Sequence, residues 1–195
     1  MNEILTGKLI RLAAFDPQEM GTALSSWSRD SEYWRLMDAG VVRMPSVKDA
    51  VKHFEKELEE PKAGIYFFSA RSLADDKLIG ELVLEVVNWT GRDAFVGLSI
   101  GERENWGQGY GTEMMKLLLQ FAFVEVNLRR VTLTVFEYNL RAIRSYEKCG
   151  FRHEGRIRQF LNKEGRRWDL LFMGILREEW MESSGEAPSA VPSAG

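Results

Sequence analysis

The chain has 195 residues, 45% of them hydrophobic and 28% charged, so it is long enough for one globular domain that buries about 70% of its unfolded surface. Its 26 Lys and Arg against 29 Asp and Glu leave a formal net charge of −3, which argues against nucleic acid as the main partner and agrees with a basic acceptor such as an amine. A single cysteine, Cys149, excludes an internal disulfide, and with His53 and His153 as the only histidines no metal site is expected. No apolar run approaches the ~20 residues of a membrane span. The first residues lack the basic region and apolar core of a secretory signal, so no membrane partner and a cytoplasmic location are expected.

In chain order, residues 7–13 read as a first strand. Residues 17–36, opening on Pro17, hold one or two helices, and Pro45-Ser46 opens another that runs to position 58. Residues 65–73, 77–87 and 94–100 read as three strands of an antiparallel meander joined by turn-rich connections at 74–76 and 88–93. Residues 114–126 are apolar almost all round, with Glu113, Lys116 and Gln120 as one narrow polar edge, as expected of a helix packed on a sheet. Residues 130–136 alternate cleanly and predict a strand. Asn139 is a good N-cap and Gly150 a good residue beyond a helix end, so the segment between them predicts a helix of about three turns. Its Arg141, Arg144 and Lys148 recur at spacings of three and four and mark a solvated face. Residues 151–161 and 168–175 pair around Asn162-Lys163-Glu164-Gly165, a hairpin signal. From position 183 the composition is nearly all Ser, Gly, Ala, Pro and Glu, so one domain over 1–182 followed by a disordered tail over 183–195 is expected.

Two segments carry chemistry. The run Trp106-Gly107-Gln108-Gly109-Tyr110-Gly111-Thr112-Glu113 puts three glycines at alternate positions directly before the apolar helix. Glycine allows φ > 0 and close approach of a ligand, and the first N–H groups of a helix lack intrahelical partners, so the combination makes an anion cradle. No Lys-Ser or Lys-Thr pair follows, as a Walker loop needs, and the G-x-G-x-G spacing is not that of a dinucleotide fingerprint. Taken alone, such a pattern is as often a tight turn. The second segment runs from Asn139 to Phe151, where Asn139 and Tyr146, seven apart, share one helix face.

Together these segments resemble the GCN5-related N-acetyltransferase (GNAT) superfamily, and more narrowly its RimJ/RimL-like branch of ribosomal-protein-alanine acetyltransferases and relatives. The resemblance spans about 5–177 and is densest over 96–151. In the family pattern [R/Q]-x-x-G-x-[G/A], Gly109 and Gly111 match the glycines, and Trp106 stands where Arg or Gln would be, an aromatic departure that this branch often carries. The pattern N-x-x-A-x-x-x-Y-E-K-x-G-F matches Asn139, Ala142, Tyr146, Glu147, Lys148, Gly150 and Phe151.

The resemblance implies an α+β fold, an α/β/α sandwich whose mixed, mostly antiparallel sheet has about seven strands in the order β-α-α-β-β-β-α-β-α-β-β. It implies acetyl-CoA as donor cosubstrate, with no metal, and transfer of its acetyl group to a primary amine by direct attack in a ternary complex. Backbone amides of Trp106, Gly107, Gln108, Gly109, Tyr110, Gly111 and Thr112 would bind its pyrophosphate. Ser99 and Ile100, at the end of a bulged and splayed strand, would polarise its carbonyl, and Asn139 would contact it. Tyr146 would protonate the departing sulfur, because a phenol is protonated at neutral pH. Glu137 is the candidate general base, with Glu81 and Glu85 as further carboxylates on one strand face. Tyr33, Trp34 and Met37 in the early helices, with Phe160, Arg166 and Trp168 in the last hairpin, are placed to line an acceptor groove, and Trp34 and Glu85 are the candidate substrate-binding residues. The acceptor would be a protein N-terminus, a polyamine or another small amine, and the aromatic content leaves room for a homodimer. Cys149, at a helix C-terminus with no histidine near in sequence, reads as a packing residue. The alternative is a non-catalytic acyl-CoA sensor, against which the presence of both Tyr146 and Asn139 argues.

Overall fold

The computed structural model describes residues 3–59 and 63–184. Strand β1 (Ile10–Ala14) is followed by helices α1 (Pro17–Trp27), α2 (Ser31–Met37) and α3 (Val47–Glu59), and then by the meander β2 (Ile65–Ser72), β3 (Leu78–Asn88) and β4 (Asp93–Ile100). Helix α4 (Tyr110–Gln120), strand β5 (Arg130–Phe136), helix α5 (Leu140–Lys148), the hairpin β6 (Arg152–Lys163) and β7 (Arg166–Leu176), and helix α6 (Arg177–Ser184) complete the chain.

Local chemistry sets most of these boundaries. Asp16 caps α1 by accepting the N–H groups of Gln18 and Glu19, with Pro17 in the first turn, and Asp30 caps α2 through Glu32. Asn139 caps α5 by accepting from Ala142, and Gly150 ends it at φ 93°. The β6–β7 turn has Glu164 and Gly165 both at positive φ, the geometry a two-residue hairpin of this hand requires.

Two elements differ from expectation. The helix expected over 114–126 begins four residues earlier and widens into a π-helical turn, Phe121–Glu125, where Val126 N–H reaches back to Phe121 O. A last helix, α6, takes in Ser183 and Ser184, because Trp180 packs against Phe123 in the core. The remainder of the expected tail, 185–195, lies outside the described residues.

The seven strands form one sheet in the order β1-β2-β3-β4-β5-β7-β6. Neighbours pair antiparallel except β4 and β5, which run parallel. The main core lies between one sheet face and α4, α5 and α6, and includes Met114, Leu118, Leu84, Leu133, Ile143 and Met173. A second cluster on the opposite face packs Met20, Trp27, Tyr33 and Phe54 from α1–α3. These layers make the α/β/α sandwich of an α+β fold. Among the described residues, no helix is long and apolar enough to cross a membrane.

One irregularity positions the site. β4 pairs with β5 only from Asp93 to Phe95, against Arg130 to Thr132, and the two strands then part. β4 stays in regular register with β3 from Ala94 to Ile100, so the bulge expected in β4 is instead an extra residue on β3, at Val87. β5 meanwhile remains paired with β7 along its length. The sheet therefore opens between β4 and β5 without losing its outer pairings.

Candidate active site

The opening is a cleft of about 550 Å³ that passes through the sheet. Its walls are the parted ends of β4 and β5, its lining on one face comes from the glycine loop and α5, and on the other from α2.

The alternation of an antiparallel ladder decides which backbone groups face it. Gly101 N–H donates to Ile79 O, so the odd-numbered residues of β4 bond to β3. The N–H groups of Leu98 and Ile100 point to the side that β5 has left. Of the two expected polarising residues, Ile100 thus presents its N–H to the cleft, whereas Ser99 turns its N–H to β3 and contributes its hydroxyl.

The glycine loop is held in place from β4. Trp106 Nε1 donates to Ile100 O at 2.9 Å, and the Arg141 guanidinium lies 4.2 Å from the centre of the indole ring, with Arg103 at 5.3 Å. An Arg or Gln side chain would not offer this stacking face. Gly107 and Gly109 have φ of 79° and 93°, in the left-handed region that a side chain disfavours. Gly109 is the N-cap of α4 and no side chain caps it, so the first N–H groups of α4 are left for a ligand. Gly107, Gly109, Gly111 and Thr112 line the cleft; Gln108 is exposed outside it, and Tyr110 packs on the main core. Glu113, in the first turn of α4, instead accepts three backbone N–H groups, from Lys8, Leu9 and Ile10, and so ties β1 to this helix.

Helix α5 supplies the other side. Asn139 lines the cleft, and its Oδ1 is occupied as the cap, at 3.2 Å from Ala142 N, which leaves its amide nitrogen to face a ligand. Tyr146 is 8% exposed, packs on Phe151 and lines the cleft. Its hydroxyl has no hydrogen-bond partner among the described residues. Burial, with a smaller contribution from Cys149, pushes the phenol up to about 12. Cys149 is itself buried, and its thiol is pushed up to about 11 by desolvation, consistent with a packing role. Thr112 and Ser145 hydroxyls, 2.8 Å apart, join α4 to α5.

Sequence periodicity missed the role open to Arg141, Arg144 and Lys148. They line the cleft on the same side as the glycine loop, and among the described residues none is ion-paired. Arg141 and Lys148 are seven apart, as are Asn139 and Tyr146; this spacing could have placed them beside the same ligand.

On the opposite face a polar chain, buried at Tyr33 and Ser99 and half-buried at Glu81, reaches the cleft. Tyr33, 3% exposed, donates from Oη to Ser99 Oγ at 3.3 Å, and Ser99 Oγ donates to Glu81 Oε1 at 3.4 Å. Glu81 stands opposite Ser99 in the β3–β4 register. Desolvation pushes its carboxyl up to about 7, partly offset by the Ser99 hydrogen bond. Tyr33 is raised as well, first by burial and then by the charge of Glu81.

The remaining candidates lie elsewhere. Glu137 continues the β5–β7 ladder: its N–H donates to Asp169 O, its carboxylate accepts Asp169 N–H at 2.9 Å, and it does not line the cleft. Glu85 is exposed on β3 opposite Phe95, where β4 and β5 are still paired. Trp34 packs edge-on against Tyr33 in the α1–α3 cluster, with its indole N–H buried. One residue of α-helix turns about 100°, so α2 presents Tyr33, Leu36 and Met37 to the cleft and turns Trp34 away.

The chain matches the acetyltransferase (GNAT) domain family over residues 10–152. It is 30% identical to a probable N-acetyltransferase of Bacillus subtilis, YjcK, over 90% of this chain and 98% of that one. To the prophage-derived N-acetyltransferase YokL of the same organism it is 28% identical over 92% of this chain and 97% of the relative. Its fold is that of the spermidine N-acetyltransferase from Vibrio cholerae, solved in complex with CoA and spermine, with a TM-score of 0.76 at 21% identity over 90% of this chain and 99% of that chain. Family match, full-length relatives and the fold agree: this chain belongs to the GNAT family of N-acetyltransferases.

Proposed function

We propose that this protein transfers the acetyl group of acetyl-CoA to a primary amine, a protein N-terminus, polyamine or other small amine, by direct attack in a ternary complex. The observation that carries the proposal is the position of Tyr146, whose hydroxyl, unpartnered among the described residues, lines a cleft with an anion cradle at one end and a relay to the half-buried Glu81 carboxylate across the sheet. The residues present fit the donor. Gly107, Gly109 and the start of α4 suit a pyrophosphate, Arg141, Arg144 and Lys148 suit further phosphate charge, and the parted strands leave room for an extended pantetheine arm.

In this reading the amine nitrogen bonds to the acetyl carbon, the carbon–sulfur bond breaks, and the net reaction moves one proton from nitrogen to sulfur. The Ile100 N–H, aimed at the cleft, stabilises charge on the carbonyl oxygen. The Tyr146 hydroxyl, still protonated far above neutral pH, donates to the leaving sulfur. Glu81, through Ser99, takes the amine proton; Glu137 is engaged with β7 and is less well placed. Trp106 supports the RimJ/RimL-like assignment, and a cytoplasmic location and homodimer belong to the same proposal. A sensor without catalysis would need the cradle but neither the Tyr146 hydroxyl nor the relay.

The test is the melting-temperature shift on adding acetyl-CoA, with CoA, NAD and ATP as controls. At 100-fold over its Kd a bound ligand stabilises the fold by about 2.7 kcal/mol. Shifts with acetyl-CoA and CoA alone support the proposal, and no shift with either overturns it.

A further inference from the structure

The cleft has two chemically different ends, and the acceptor end is mostly apolar, with hydroxyls but, among the described residues, no carboxylate in its lining. Resting on the acetyl-transfer reading above, we infer that the acceptor is a monoamine: one primary amine carried on a hydrocarbon or aryl body, with no second cationic group.

Beyond Tyr33 and Ser99, the lining at this end is Leu36 and Met37 from α2, Thr134 and Phe136 from β5, and Leu170 from β7. Phe136 and Leu170 are cross-strand partners within a third apolar cluster that includes Leu161, Tyr138 and Trp168. That wall is fastened to α2. Tyr138 Oη donates to Arg35 O, Arg35 pairs with Glu164 at the hairpin tip, and Lys163 Nζ donates to Gly40 O. The pocket for the body of the acceptor is therefore a braced apolar surface. Met37, at its rim, is 41% exposed.

A polyamine would bring a second ammonium to this surface, and a desolvated ammonium needs a carboxylate. Of the nearby carboxylates, two are ion-paired and two accept backbone N–H groups. Asp38 accepts from Gly40 N–H, Glu164 pairs with Arg35, Asp169 pairs with Arg156 at 3.0 Å and accepts from Gln159 N–H, and Glu137 accepts from Asp169 N–H. Among the described residues, no Asp or Glu lines the cleft. Glu81, reached through Ser99, is placed to serve the one reacting nitrogen. An apolar body, by contrast, gains from each methylene it buries against Leu36, Phe136 and Leu170.

The experiment compares CoA release from acetyl-CoA with hexylamine, 2-phenylethylamine, putrescine and spermidine as acceptors. The expected result is a kcat/KM for the two monoamines at least tenfold above that for putrescine and spermidine. Leu36→Glu, which puts a carboxylate at the mouth, should narrow that ratio by tenfold or more. Putrescine or spermidine turned over as well as the monoamines overturns the inference while leaving acetyl transfer intact. So does an acetyl-CoA melting shift without turnover of any of the four amines. Absence of both the shift and turnover overturns the acetyl-transfer reading itself.

Discussion

The donor and acceptor ends of the cleft are built in opposite ways. The donor end comes from two continuous segments, 106–112 and 139–148, each carrying its ligand-facing groups at helix or turn spacing. The acceptor end takes side chains from α2, β4, β5 and β7, with Glu81 of β3 behind them. A site made of local motifs can be read from a sequence; a site assembled from distant strands depends on register and on which way each helix is turned.

The largest test of this division falls on the residue between the two ends. Tyr146→Phe should lower turnover by about 10²-fold while the acetyl-CoA melting shift stays unchanged, because it removes the donor to sulfur and leaves the cradle whole. Equal turnover would remove Tyr146 from the chemistry.

The next effect separates the relay from the cradle. Only the deprotonated carboxylate of Glu81 can accept a proton, so kcat/KM expressed per unprotonated amine should rise with pH through about 7 and level off above it. Glu81→Gln should flatten that limb and cost about tenfold at the plateau without weakening acetyl-CoA, whereas Glu137→Gln should leave the limb in place. The raised carboxyl has a sign in stability as well. Its ordinary value is 4.5, so between there and about 7 the folded state holds a proton that the unfolded state has lost, and stability falls as pH rises across that window. The same substitution should remove this dependence in melting curves taken across pH.

The smallest effect concerns the scaffold beneath the donor end. Glu113 gathers the N–H groups of Lys8, Leu9 and Ile10. Glu113→Gln loses the charge that strengthens those bonds and should cost about 1–2 kcal/mol, a melting-temperature fall of about 3–6 °C. An unchanged melting temperature would show that β1 does not depend on this tie.

The legibility of the fold follows the same division. β5 and the limits of α5 were set by alternation and by the Asn139 and Gly150 caps, and the hairpin by its turn residues. The π-helical turn after α4 was not legible, because an all-round apolar run carries no sign of where its hydrogen bonds lengthen. Arg141, Arg144 and Lys148 read as a solvated face, since periodicity separates charged from apolar but not solvent from a polar cleft. Residue type singles out Trp34 and Glu85, but the rotation of α2 and the closed part of the β4–β5 pairing put both outside the cleft.

What the sequence by itself determined is the element order, the glycine turn that must take positive φ, and the helix that carries Asn139 and Tyr146 on one face, all set by interactions within a few residues. What only the tertiary structure decided is the parting of β4 from β5 after Phe95, the Tyr33–Ser99–Glu81 chain across it, and the apolar mouth between α2 and the last hairpin. Each of these joins groups far apart in the chain, and the packing that brings them together is a property of the whole sheet.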